Sequence, residues 1–129
     1  MKTLQRYITE KILINKNSKL PYNYYPKTKE ELKDIIDMSD LFEYSDFNGD
    51  ISKWNVSNVK TMYGMFYKSE FNGNIYKWNV SNVKNMECMF MKSNFNSDIS
   101  NWDVSNVKSM HEMFYECPIE EKYKPKFKK

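Results

Sequence analysis

A phrase of 24 residues repeats without insertion through most of this chain. Residues 50–66 read DISKWNVSNVKTMYGMF, and the phrase returns as NIYKWNVSNVKNMECMF and DISNWDVSNVKSMHEMF. The recurring apolar positions include Met38, Met62, Met86 and Met110; Phe42, Phe66, Phe90 and Phe114; and Trp54, Trp78 and Trp102. A fixed period of this length is typical of stacked structural units, because one unit alone cannot bury its apolar face.

Two periodicities alternate within one repeat. Trp54 and Val56 are two residues apart, which predicts a strand that turns both side chains inward. The apolar stripe through residues 59–66 has the spacing of a short helix, with Ser57 placed to cap its first turn. The sequence Asn72-Gly73-Asn74 predicts the tight turn that returns the chain to the next strand.

These patterns predict an α/β repeat fold. The expected architecture is a short leucine-rich-repeat-like solenoid with a parallel sheet on one face and short helices on the other. The three tryptophans should then form a ladder inside the sheet. The amides expected to bond the backbone of the adjacent unit are Asn58, Asn82 and Asn106.

The chain divides into three predicted regions. Residues 1–37 form an N-terminal helical cap and a Tyr-rich loop, with Thr28 and Glu31 spaced as a capping box. Residues 38–117 hold three repeats and the helix of a fourth, and residues 118–129 form a basic C-terminal tail that is expected to fray.

The string W-N/D-V-S-N-V-K-x-M-x-x-M-F resembles the BspA-like leucine-rich repeats, and the resemblance covers residues 38–117. Members of that family occur in bacterial surface lipoproteins and in protist and phage proteins. The resemblance implies a small solenoid that attaches to other macromolecules and has no catalytic activity. Surface members carry an export signal or lipobox cysteine, and this chain shows neither.

Charge is unevenly distributed along the chain. The net charge is +5 over residues 1–30, −5 over residues 31–117 and +3 over residues 118–129. An acidic repeat region would repel phosphate, so nucleic acid is not the expected partner of the repeats. A mean hydropathy of −0.80 argues against a membrane span. Charged residues interrupt the N-terminal apolar stretch, so no secretory signal is expected and the predicted location is cytoplasmic.

No catalytic, cofactor or metal site is expected. The sequence lacks a phosphate-binding glycine loop and a nucleophile signature. His111 falls at an outward position and is interpreted as solvated surface. Cys88 and Cys117 are interpreted as structural thiols in a reducing compartment. The repeated methionines have the spacing of core residues, which is a better explanation than soft-metal binding.

The predicted partner-binding residues lie on the outward side of the strands. They are Lys53, Asn55, Tyr76, Lys77, Asn79, Asn101 and Asp103. Tyr76 replaces a serine of the other repeats and is either an interface anchor or an ordinary exposed side chain. A second set lies in the tail and would contact nucleic acid or an acidic partner, unless the tail serves only solubility. This set is Lys122, Lys124, Lys126, Lys128 and Lys129.

The leading functional hypothesis is a non-catalytic protein–protein interaction module that binds through the solenoid face. The chain has no alanine and 15 asparagines, a bias that indicates an AT-rich bacterium, its phage or a large virus. An alternative is therefore an inhibitor of a host defence nuclease, or anti-CRISPR-like protein, that contacts a ribonucleoprotein or nuclease complex. A third hypothesis is surface attachment. The oligomeric state is left open.

Overall fold

The computed structural model describes residues 35–127, which form a column of stacked coils. Coil 1 comprises residues 38–61, coil 2 residues 62–85, coil 3 residues 86–109 and the partial coil 4 residues 110–127. Equivalent residues lie above one another, as parallel bridges show between Asp37 and Thr61, Thr61 and Asn85, and Asn85 and Ser109. The predicted 24-residue stacking register is therefore confirmed.

Aromatic columns fill the centre of the stack. The indole rings of Trp54 and Trp78 are 6.4 Å apart and nearly parallel, and the same distance separates Trp78 from Trp102. Phe66 lies between Phe42 and Phe90, at centroid distances of 5.4 Å and 5.3 Å. The predicted tryptophan ladder is confirmed, and it buries each ring against its counterpart in the next coil.

The predicted α/β class is wrong. The described residues contain no α-helix and no multi-residue strand, and their parallel pairing is limited to the isolated bridges. The segments predicted as helices are runs of tight turns, called the turn runs below. The turn runs are residues 39–44, 63–68, 87–92 and 111–116. The one regular element is a short 3-10 helix, Glu121–Tyr123.

Hydrogen-bond direction explains why the turn runs are not helical. In coil 2 the N–H groups of Met65, Tyr67 and Ser69 donate to carbonyls three residues earlier. The N–H groups of Gly64 and Phe66 instead donate to carbonyls of coil 3 at 2.9 Å and 2.8 Å. Half of the donors are thus used between coils, whereas an α-helix would use them within the segment. The apolar stripe remains buried, as predicted.

The strand predicted around Trp54 and Val56 is also absent. Both side chains are buried as expected, but tight turns close on either side of them, from Trp54 N to Ile51 O and from Val59 N to Val56 O. Two turns so close together leave no extended run to pair with the next coil. The inward and outward alternation was therefore predictable without the strand that it suggested.

Side chains join the coils where a sheet was expected. The indole Nε1 of Trp78 donates to Ile51 O at 3.0 Å, and Trp102 donates to Ile75 O at the same distance. The amides of Asn82 and Asn106 donate to Ser57 O and Ser81 O, 2.7 Å away in each case. The predicted bonding by these two asparagines is confirmed. It replaces the backbone pairing of a sheet with side-chain pairing.

The predicted N-terminal helical cap lies mostly outside the described residues. Its last residues, 35–37, are not helical, because Asp37 pairs with Thr61 instead. No helix in the described part of the chain has the length and apolarity that a membrane span requires.

The start of the C-terminal tail packs against the stack. Ile119 and Pro125 are buried, and Ile99 N donates to Tyr123 O at 3.0 Å. Residues 118–127 therefore continue the repeat register instead of fraying. Lys128 and Lys129 lie outside the described residues.

Positive backbone φ angles recur at two positions of every turn run, and Lys92 holds one of them at +56°. Glycine adopts this conformation without the side-chain penalty of about 1–2 kcal/mol. We therefore expect Lys92→Gly to leave the melting temperature unchanged or to raise it slightly. In the predicted helix the same change would destabilise the chain by about 1 kcal/mol. Urea denaturation measures the difference.

The matched control for Lys92→Gly is Lys84→Gly, because Lys84 is also exposed but lacks a positive φ. This control should destabilise the protein through the greater backbone entropy of glycine in the unfolded chain. Equal destabilisation by both changes would contradict the turn-run conformation.

Candidate functional site

The predicted binding residues lie along one exposed face of the stack. The residues that are exposed there are Lys53, Tyr76, Lys77, Asn79, Asn101 and Asp103, whereas Asn55 is half-buried. Tyr76 keeps 37% of its surface accessible, although most large apolar side chains of the described residues are buried. The face therefore has one aromatic side chain surrounded by polar groups.

An open cavity of about 480 Å³ lies beside Tyr76 and Lys77. Its lining comes from three successive coils: Asn74, Tyr76 and Lys77 from coil 2; Asn96, Ser97 and Asp98 from coil 3; and Tyr123 from coil 4. The cavity brings Tyr76 and Lys77 together with residues that lie more than one repeat away in sequence. It does not include Lys53, Asn79, Asn101 or Asp103.

The backbone around the cavity is fixed by asparagine and aspartate side chains. Asn74 Oδ1 accepts the N–H of Tyr76 at 3.0 Å, and Asp98 Oδ1 accepts the N–H of Ser100 at 2.9 Å. Asn96 Oδ1 accepts the N–H of Glu120, also at 3.0 Å. Because the oxygens of the two asparagines are already used, their NH₂ groups are the part available to a ligand.

Charges of both signs line the cavity. Hydrogen bonds from the side chain and the backbone of Ser100 lower the pKa of Asp98 below its ordinary value. The carboxylate is therefore ionised at neutral pH, opposite in sign to the exposed ammonium of Lys77. Two tyrosine rings, two amides and this pair of charges suit a polar protein surface with an apolar centre.

Three of the predicted binding residues have a structural role. The Oδ1 atoms of Asn55, Asn79 and Asp103 each accept hydrogen bonds from the N–H and the hydroxyl of the serine two residues later. These bonds close the second tight turn of each coil. The repeated Asn or Asp at this position is explained by the turn, which the sequence reasoning had not recognised.

The predicted contact lysines of the tail differ in their surroundings. Lys124 Nζ bonds Glu121 Oε1 at 2.6 Å and lies 5.2 Å from the ring centre of Phe114. Lys122 Nζ lies 5.2 Å from the ring centre of Tyr123. Lys126 is exposed. Lys124 therefore covers the last phenylalanine of the aromatic column, while Lys122 and Lys126 remain accessible.

The cavity residues that the sequence reasoning missed are Asn74, Asn96, Ser97, Asp98 and Tyr123. Tyr123 had been placed in the register of Ile99, a buried position, but it is only half-buried and reaches the cavity rim. The proline two residues later is buried and the chain bends there. The departure of the tail from the repeat consensus was the available signal.

The remaining candidate groups do not form a site. His111 is exposed as predicted, with Nε2 3.7 Å from Glu112 Oε1. Within residues 35–127 no cluster of His, Cys, Asp and Glu could hold a metal ion. Cys117 Sγ contacts Phe95 O at 3.2 Å and Cys88 Sγ lies near His111 O, so the two free thiols have different surroundings.

Burial, followed by the charges of Glu112, Glu87 and Asp40, raises the pKa of the Cys88 thiol. This thiol is protonated at neutral pH and is a poor nucleophile.

Comparison with known proteins agrees with the repeat pattern. A family model matches residues 15–126, which is most of the chain. No curated protein and no solved structure matches it. The chain therefore belongs to the family described as Mycoplasma protein of unknown function, DUF285, which is a family of BspA-like repeats.

Proposed function

We propose that this chain is a non-catalytic module that binds another protein through the exposed face around Tyr76. The observation that carries the proposal is the cavity beside Tyr76 and Lys77, which three successive coils build together. A surface of this kind exists only in the stacked chain. Its residues are held in place by the aromatic columns behind them.

The chemistry of the face fits a protein partner. Tyrosine is enriched among the residues that dominate binding energy, and it is most effective when polar groups around it exclude water. The ring of Tyr76 has Lys77, Asn74 and Asp98 around it in this way. The backbone at Tyr76 is fixed by Asn74, so little ordering entropy is lost on binding.

The finer family assignment supports the same function. The string W-N/D-V-S-N-V-K-x-M-x-x-M-F resembles BspA-like leucine-rich repeats, whose members attach to other macromolecules. We assign the chain to this type and place its action in the cytoplasm, because its two cysteines are unpaired. A module of this type binds its partner without transforming it.

Replacing both Tyr76 and Lys77 by alanine tests the proposal. We expect the partner to bind at least ~10-fold more weakly, because a central tyrosine typically contributes about 2 kcal/mol or more. The melting temperature should change little, since both side chains are exposed. Binding is measured with the partner captured by a photo-crosslinking residue placed at position 76 in the native host.

Tyr63→Ala is the matched control, because Tyr63 is also an exposed tyrosine but lies on a turn run. It should leave binding unchanged. Equal capture by crosslinkers at positions 63 and 76 would contradict the proposed face. Recovery of a nuclease complex, or of a surface glycan in place of a protein, would identify the other functional classes.

A further inference from the structure

The last coil leaves a row of backbone donors open. In coils 1–3, every second N–H of the turn run donates to a carbonyl of the following coil, at 2.8–3.0 Å. The equivalent donors of coil 4 are the N–H groups of Met110, Glu112, Phe114 and Glu116. None of these four has an acceptor among residues 35–127.

The apolar side chains at this end are also less covered. Met110 and Phe114 are half-buried, whereas their counterparts Met86 and Phe90 in coil 3 are completely buried. Lys124 lies across the ring of Phe114, and Glu121 holds its ammonium. The tail therefore covers one side of the end coil and leaves the donor row exposed.

An open row of donors next to an apolar strip is a template for adding another segment of chain. The required acceptors are known from the chain itself, because each donor pairs with the residue 23 positions later. A segment that continues the stack must therefore present carbonyls at alternate residues along a turn run. An ideal occupant has the backbone course of one of these coils.

The side chains at the end coil select among such segments. Glu112 and Glu116 are exposed and flank the donor row. In the chain, Asp40 leans over Gly64 of the next coil, where a Cβ would collide with its Oδ1. Glu112 occupies the column of Asp40, so a glycine in the added segment would give it the same space. Glu116 would be complemented by a lysine.

Coil 2 has both of these residues, Gly64 and Lys68, at the matching positions. Coil 1 of a second copy fits less well, because it would place Asp40 over Glu112 and Tyr44 over Glu116. The first of these contacts brings two carboxylates together. Head-to-tail stacking of this chain is therefore disfavoured by its own charges.

We propose that the open edge of coil 4 binds a repeat segment from another protein chain, with glycine opposite Glu112 and lysine opposite Glu116. The partner extends the stack by main-chain hydrogen bonds to the four free donors. This edge is separate from the face around Tyr76. The proposal therefore does not depend on the function proposed for that face.

A synthetic peptide with the sequence VKTMYGMFYKSEF, copied from residues 59–71 and blocked at both ends, is the probe. Added to the full chain, it should slow hydrogen exchange at the amides of Met110, Glu112, Phe114 and Glu116. Exchange at Tyr76 and Lys77 should not change. Amide-resolved NMR follows both sets in one experiment.

A charge swap tests the selectivity. Glu116→Lys in the chain should weaken peptide binding about fivefold, because an exposed ion pair becomes a like-charge pair. A peptide with glutamate in place of Lys68 should bind the Glu116→Lys chain better than the unchanged chain. Rescue of this kind would not occur if Glu116→Lys only disturbed the fold.

Three results would overturn the proposal. They are absence of peptide binding, protection of amides elsewhere than on coil 4, and concentration-dependent head-to-tail assembly of the chain that the peptide does not inhibit. The Tyr76→Ala, Lys77→Ala double variant should bind the peptide normally. It therefore separates failure of this edge from failure of the function proposed for the Tyr76 face.

Discussion

Trp78→Ala should destabilise the protein by about 3–5 kcal/mol, the range found for truncating a buried aromatic side chain. Trp78 is 4% exposed and stacks on Trp54 and Trp102 on its two sides. The substitution leaves a cavity between two indole rings that the rigid column cannot close. Chemical denaturation followed by circular dichroism measures the loss of unfolding free energy.

A pair of Trp→Phe variants separates the hydrogen bond of the indole from its packing. Trp78 Nε1 donates to Ile51 O, whereas the buried Nε1 of Trp54 has no hydrogen-bond partner. Trp78→Phe should therefore destabilise the chain by about 1 kcal/mol more than Trp54→Phe. An equal loss at both positions would show that the indole bond contributes nothing.

The column positions could be predicted because packing alone determines them. Trp78, Phe66 and Met62 recur at the period of 24 because each must contact its own counterpart in the next coil. This requirement acts on side chains and is the same whether the backbone is a helix, a strand or a turn. The stacking order and the buried residues were therefore readable from the sequence.

The backbone conformation could not be predicted from the same pattern. A stripe such as Met62, Met65 and Phe66 faces inward both in a helix and in a run of tight turns. The two conformations differ in the direction of their N–H groups, and these are decided by the carbonyls of a neighbouring coil. Positive φ values at Lys68 and Lys92 are also invisible in the sequence, because lysine does not favour that conformation.

The candidate site was predicted only in part for a similar reason. Tyr76 and Lys77 stood out because they depart from the serine and asparagine of another repeat. Asp98 and Asn96 conform to the repeat and give no such signal, yet they lie beside Tyr76 through stacking. A cavity between coils depends on the rotation from one coil to the next, which the period does not specify.

Inserting a second copy of residues 60–83 after Val83 should produce a stable, longer stack. Stability in such repeats is approximately a sum over units and their interfaces, and the new coil adds one interface without changing either end. We expect the melting temperature to rise by at least ~5 °C, about 1 kcal/mol for a domain of this size. Thermal denaturation followed by tryptophan fluorescence provides the measurement.

The control insertion omits Asn72 from the duplicated segment and so adds one residue fewer. Every residue before the omission then shifts by one position against the preceding coil, which places Trp54 over Lys77 instead of Trp78. The inward and outward positions no longer match, so this variant should lose the cooperative unfolding transition. Equal stability of the two insertions would show that the coils tolerate a change of register. The aromatic columns, with rings 5–6.5 Å apart, would then not be what holds them together.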